Sequence, residues 1–456
     1  MSYPSLHDIA AQLRAGSLSV QELLQGCLTR IEALNTTLNA VVTLDPTAMT
    51  RARELDEELR NGHDRGLLHG MPLLVKDNIN VAGLPTTVAS PLFQNAAPAT
   101  SDAPVIAGLR KAGAIILGKT NMDELAAHVS GRTSCYGATV NPWNPSRRCS
   151  PGGSSSGSAA AVAAGLCVAA LGSDTGGSVR LPAGWCGLFG MRPSWGLFPT
   201  SGIYPRAVSM DTPGVLATSA AGMAPLLRAM LQDELPGVPL ANSPRIGVMR
   251  QFIRQLAVDQ PAIADRYDTT IANWEALGFQ TVEVTFPLLV SEAVATAVDI
   301  IRSFEFYRDI RADVDASPLK DRMHAVPAAD YAAGRAVPAE QIAAAQKTKQ
   351  DAAEATQAFF AQQGLDALLL PTALMTAPRL DDPAELYKRA RLLVNLFSIT
   401  GNPTLVYPGG RVDGMPCGMQ LVGRVRADAQ LLAFAEAYDR RFHPFCTPDE
   451  AAGQPA

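Results

Sequence analysis

Apolar residues recur along this chain first with the period of a helix and then in short unbroken runs. Leu6, Ile9, Ala10 and Leu13 share one face before Gly16; Leu23, Leu24, Cys27, Leu28 and Ile31 share another after Ser19, a residue suited to cap a helix. Residues 5–35 therefore predict two amphipathic helices. NAVVTLD is a strand candidate, and Ala48 to Arg60 a charged helix ending near Asn61-Gly62. Met71 to Val75 predicts a strand, Pro104 to Ala112 a helix and Ala114 to Leu117 a second strand. The alanine- and valine-rich run from Ala159 to Leu171 predicts one buried helix between two polar loops. The stretch LPAGWCGLFGMRPSWGLFPTSGIYP after Arg180 predicts tight turns, and residues 217–231 a helix. Leu235 to Arg245, with three prolines, is the best linker candidate. RIGVM then predicts a strand and Pro261 to Leu277 a helix stopped by Gly278. Residues 290–363 read as largely helical, the last helix starting at Pro338 and ending before Gly364. LDALLLPTALMTAP, NPTLVYPGG and GMPCGMQLVGR predict three buried strands, and AQLLAFAEAYDRRF a closing helix. Strands interspersed with helices on both sides of the linker predict an α/β fold, with a single large mixed β-sheet core flanked by helices.

Composition narrows the classes. The chain has 456 residues, 47% hydrophobic and 18% charged, which describes a globular protein. A net charge of −5 with no basic run argues against a surface that coats nucleic acid. The N-terminus lacks a charged segment followed by an apolar one, and the longest apolar run is too short and alanine-rich to span a bilayer. Seven scattered cysteines without a C-x-x-C pair predict reduced thiols in a cytoplasmic protein and no zinc site.

The chemistry concentrates between Ser150 and Arg180, where SPGGSSSGS and SDTGGSVR bracket the apolar run. Two glycines directly before Ser178 let successive N–H groups converge into an anion-binding nest, so Ser178 is the candidate attacking hydroxyl. Its base must come from elsewhere in the chain, and serine–lysine pairings supply one solution. Lys76 ends an apolar strand, and the carboxyl ends of strands are where open α/β sheets bind ligands. Two other motifs fail on context. Gly113 to Thr120 matches the Walker A spacing of an ATP-binding loop, but its four intervening residues are themselves an apolar strand. Gly153 to Gly157 matches the G-x-S-x-G nucleophile elbow, but an irregular, proline-rich segment leads into it instead of a strand.

K-D-N at 76–78, GKTNMDE at 118–124, PGGSSSGSAAAVAAG at 151–165 and GSDTGGSVRLPAGWCGLFGMRPS at 172–194 together resemble the amidase signature family. PTALMTAP, TGNPTL and GMPCGMQLVG resemble its later blocks, in order. The resemblance covers most of residues 65–440 and is poor around 240–360. It implies an amidase-signature α/β domain over 65–445, after an N-terminal helical segment at 1–64, with a variable, mostly helical part at about 240–360. It implies hydrolysis of a carboxylic amide by a serine–cis-serine–lysine triad: Ser178 as nucleophile, Ser154 after a cis peptide as relay, and Lys76 as base. The N–H groups of Thr175, Gly176, Gly177 and Ser178 would form the oxyanion hole, Ser155 would bond near Lys76, and Asp174 and Arg180 would brace the loop. Gly131, Thr133 and Trp195 are the expected substrate-pocket residues. No cofactor and no metal are expected. The expected partner is a small-molecule amide, with no nucleic acid and no membrane, and a homodimer is compatible. The alternative within the family is the A subunit of a glutamine-dependent aminoacyl-tRNA amidotransferase; a carbamate or ester hydrolase is a further variant. Ser156 in place of glycine, Met191-Arg192-Pro193 and Trp195 depart from the usual pattern without removing a catalytic group.

Overall fold

A computed structural model of the chain describes residues 5–144, 146–233, 235, 243–442 and 445–448. Among these, eleven strands form one mixed sheet: β1 (Val41–Leu44), β2 (Pro72–Lys76), β3 (Ile115–Thr120), β4 (Ala169–Asp174), β5 (Phe189–Arg192), β6 (Thr212–Ala217), β7 (Arg245–Val248), β8 (Gln280–Glu283), β9 (Ala367–Pro371), β10 (Thr404–Val412) and β11 (Met415–Gly423). Their spatial order is β1-β3-β2-β4-β6-β5-β10-β11-β9-β7-β8. Helices flank this sheet, which is the α/β architecture that the alternation of elements predicts.

The parallel trio β3-β2-β4 sets the position of the chemistry. Val75 pairs with Lys119 on one side and Leu171 on the other, so β2 and β3 end together and β4 runs about two residues further. Lys76, Thr120 and Asp174 thus emerge along one edge, and the loops that follow β3 and β4 meet above Lys76. The Walker-like Gly118-Lys119-Thr120 lies inside β3, where Lys119 pairs with Asp77 at 3.1 Å, so no phosphate-wrapping loop exists there. The first two helices, Leu6–Ala15 and Val20–Leu38, start on capping boxes built from Ser5/Asp8 and Ser19/Glu22. Their buried faces share one hydrophobic cluster with β2 and β3.

Three expectations change. The run Ala159 to Leu171 is not one helix: a helix spans Ser156–Ala163, Gly165 turns the chain at φ 67°, and β4 begins at Ala169. Burial on every side removes the periodicity that separates helix from strand. The stretch after Arg180 holds a helix, Arg180–Cys186, and the central strand β5, where tight turns were expected. Next to β5, β6 starts earlier than the 217–231 helix suggests and carries Pro213 opposite Ser173 of β4, two residues beyond its last pair with β5 at Val215. Proline is rare in such a strand, which hides it from sequence rules. In the linker candidate Leu235–Arg245, residues 236–242 lie outside the described residues, and Arg245 already belongs to β7. No helix of the described residues is long and apolar enough to cross a membrane.

The helix Arg180–Cys186, which follows the second Gly/Ser loop, lies directly on β11. A Cβ placed on Gly418 would meet Gly184 Cα at 2.3 Å, so helix and strand backbones touch with no side chain between them. Gly418→Val should therefore destabilise the fold by about 1–3 kcal/mol through overpacking. Chemical denaturation that finds the variant as stable as the parent would refute this close packing.

Candidate active site

Lys76 is completely buried at the end of β2. Its Nζ lies 2.8 Å from Ser154 Oγ and 2.9 Å from Ser173 Oγ, and donates to the Ser173 carbonyl at 3.3 Å. Asn78 Nδ2 donates to the same Ser173 hydroxyl at 3.0 Å. Burial pushes the lysine pKa down to about 7, against the opposing pull of the Asp123, Asp174 and Asp211 carboxylates. A neutral amine with two acceptors on Ser173 has its lone pair left for the Ser154 hydroxyl.

Ser154 follows a cis Gly153–Ser154 peptide in the first Gly/Ser loop. Its carbonyl accepts from the Asp123 N–H at 3.2 Å, and the next N–H, of Ser155, donates to the Ser178 carbonyl at 3.2 Å. The two Gly/Ser loops are thus joined by backbone. Ser155 Oγ meets the Ser173 backbone, donating to its carbonyl at 3.3 Å and accepting from its N–H at 3.4 Å. The hydroxyl that does reach Lys76 at this point is that of Ser173.

Ser178 is 4% exposed and faces a cavity of about 440 Å³, together with Thr175 and Gly176. Asp174, fully buried, organises this loop. It accepts from the Gly177 N–H at 2.9 Å, the Val179 N–H at 3.0 Å and Arg180 Nε at 3.0 Å, while Arg180 and Arg192 both form ion pairs with it. Burial alone would raise the Asp174 carboxyl, but the charges of Arg180 and Arg192 outweigh it and hold the pKa far below the usual range. One expected oxyanion donor is therefore lost: the Gly177 N–H is taken by Asp174. The N–H groups of Thr175, Gly176 and Ser178 have no acceptor among the described residues.

The expected pocket residues lie elsewhere. Gly131 and Thr133 are buried around Asp123, which accepts from the Gly131 N–H at 2.8 Å and from Thr133 Oγ1 at 2.9 Å. Trp195, 44% exposed, donates its indole N–H to the Val208 carbonyl at 3.1 Å and carries Lys349 over its ring. None of the three is among the cavity walls. Those walls come from Ala126 to Val129, from Arg206, from Asp299, Arg302 and Asp330, and from the helix Ala384–Ala390. Charges of both signs face the space, several already paired: Arg206 with Asp330, and Arg302 with Asp299 at 3.0 Å. Among the described residues no group of three or more His, Cys, Asp or Glu side chains is placed to hold a metal ion.

Four residues of this constellation escaped sequence reasoning in these roles: Asp123, Ser173, Arg192 and Asp211, whose carboxylate takes the Thr175 hydroxyl. Only Arg192 left a signal, as a charge in the otherwise apolar run FGMR of β5.

The sequence profile of the amidase family matches residues 22–432. The A subunit of the glutamyl-tRNA(Gln) amidotransferase of Synechococcus sp. (strain CC9605) is 34% identical, covering 97% of this chain and 97% of that protein. The native peptide amidase from Stenotrophomonas maltophilia superposes with a TM-score of 0.83 at 31% identity, covering 97% and 98% of the two chains. A 6-aminohexanoate cyclic dimer hydrolase complexed with substrate gives 0.84 at 25% identity, covering 96% of each. The first of these corrects an expectation. A lone small-molecule amide, with no nucleic acid and at most a second copy of the chain as partner, does not describe a relative named as one component of an enzyme acting on glutamyl-tRNA.

Removing the Asp174 charge should expose what it holds together. Asp174→Asn leaves two buried guanidinium groups facing a neutral amide and should cost about 3–5 kcal/mol near neutral pH. The native carboxyl stays ionised while its unfolded counterpart protonates near pH 4, so its contribution is whole above about pH 4 and shrinks below that. Denaturation curves at pH 7 and pH 3 would check this; equal stability of parent and variant at pH 7 would refute it.

Proposed function

The chain belongs to the amidase family, and on that footing we propose that it breaks a carboxamide C–N bond through an acyl-enzyme on Ser178. The observation that carries the reading is the buried Lys76 amine, poised near neutrality and 2.8 Å from Ser154 Oγ, in a loop bonded to the backbone of Ser178. Neutral Lys76 takes the Ser154 proton as Ser154 takes that of Ser178, and Ser178 Oγ adds to the amide carbon. The N–H groups of Thr175, Gly176 and Ser178, which have no acceptor among the described residues, hold the oxygen that becomes negative. The proton returns through Ser154 to the leaving nitrogen, and water then cleaves the ester by the same relay. The balance is R–CO–NH–R′ plus water to R–COOH plus R′–NH2.

The relatives favour glutamine as the amide, and the A subunit of a tRNA amidotransferase as the role. Ammonia is then the released amine, and partner subunits with glutamyl-tRNA belong to the full reaction. A cavity wall bearing Arg302, Lys388 and Arg391 beside Asp299, Asp330 and Glu385 suits an amide that is itself zwitterionic. Cytoplasmic residence is part of the same proposal.

Ser178→Ala should lower turnover by at least about 10³-fold on every amide the parent cleaves. For the parent, kcat/KM should rise as the pH passes about 7 and Lys76 loses its proton. Retained turnover in Ser178→Ala would sink the chemistry. Ammonia release from glutamine, alone or with the partner subunits of a related amidotransferase, supports the proposed role in that complex. Hydrolysis of peptide amides with no action on glutamine under either condition overturns it.

A further inference from the structure

The relay serine lies in a loop of small residues, and a second loop grips it. Asp123, just past the end of β3, is completely buried. Besides Gly131 and Thr133 Oγ1, its carboxylate accepts from the Arg132 N–H at 3.1 Å, the Thr133 N–H at 3.2 Å and Ser130 Oγ at 3.2 Å. The same carboxylate rests on the relay loop, since a Cβ on Gly153 would meet Asp123 Oδ2 at 1.9 Å. Only glycine fits against it there. The Asp123 N–H holds the Ser154 carbonyl, and Ser150 Oγ donates to the Ser130 carbonyl at 2.7 Å, closing the ring of contacts around the first Gly/Ser loop.

We propose that Asp123 is the positioning residue of the relay: it ties residues 130–133 to the Gly153–Ser154 peptide and so keeps Ser154 Oγ within hydrogen-bonding reach of Lys76. The proposal rests on the relay reading above. One buried carboxylate spends its acceptor capacity on backbone and hydroxyl donors of one loop while its own backbone fixes the serine. It also contributes charge. Asp123 after β3, Asp174 at the end of β4 and Asp211 before β6 are the anions acting on Lys76, with Arg180 and Arg192 countering on the Asp174 side. Each anion favours protonated Lys76, so removing one lets burial depress the amine further.

Asp123→Asn keeps the shape, puts an NH2 against an N–H donor and deletes the charge. The readout is the rate of covalent labelling of Ser178 by a fluorophosphonate, located by peptide mass and followed from pH 5 to 9; it needs no knowledge of the natural amide. Slower labelling by about tenfold or more, with the acid limb moved to lower pH, is the expected result. A variant that only loosened the fold would melt earlier with its acid limb unmoved, and that outcome, like parental rate and limb, would overturn the proposal. Should Asp123→Asn not fold, Thr133→Val removes one bond to the carboxylate and keeps the charge; several-fold slower labelling with an unmoved limb is then expected, and an unchanged rate overturns it. Failure of the parent to label at Ser178 would instead strike the relay reading itself.

Discussion

The buried ionic knot around Asp174 is the contact on which the rest of the site depends. One carboxylate at the end of β4 receives two arginines, both fully buried, from different elements. Arg180 extends to the Val394 carbonyl and Ser398 Oγ, and Arg192 to the Met210 and Ser398 carbonyls. Segments more than 200 residues apart are thereby tied to the loop that presents Ser178. Two guanidinium charges against one carboxylate leave an excess, and Asp211 supplies the second anion within reach of Arg192. The knot is then close to neutral, the condition under which buried charge is tolerable.

The same carboxylates explain how a lysine with no solvent contact can lie near neutrality. Burial by itself favours the uncharged amine, and three carboxylates in the surroundings favour the charged one. Because Asp174 is committed to Arg180 and Arg192, its pull on Lys76 is partly cancelled. Asp123 is paired instead with N–H and hydroxyl donors, and with no ion-pair partner among the described residues. Anchoring one loop with arginines and the other with neutral donors is thus also a way to set the lysine between its two states.

Most of the fold was legible in the sequence because exposed helices keep their period and capping residues, as Ser5 and Ser19 do. Legibility failed where burial was complete. In β4, β5 and β6 every position is buried, so alternation vanishes and glycine and proline read as turns. For the site, Lys76, Ser154 and Ser178 stood out through motif resemblance, and the structure places the first two in contact and joins the serine loops by backbone. Ser155 bonds one residue short of the lysine, at Ser173. Residues such as Asp123 were silent because three of its partners, eight to ten positions downstream, are backbone N–H groups that any sequence would offer, and the other two are hydroxyls of an ordinary polar loop.

The pocket was misjudged for a related reason. Gly131 and Thr133 bond Asp123 and are not among the cavity walls, while the wall itself draws on residues 299–330 and on the helix Ala384–Ala390. Arg132 links the two. Its backbone N–H binds Asp123, and its guanidinium reaches out to the Leu380 and Asp382 carbonyls, just before that helix. One residue therefore joins the segment before that helix to the carboxylate that touches the Ser154 loop. Lys76 and Asp174 stand at strand ends of the sheet, whereas much of the cavity wall comes from segments outside it. One fold can in this way keep its relay while its cavity changes.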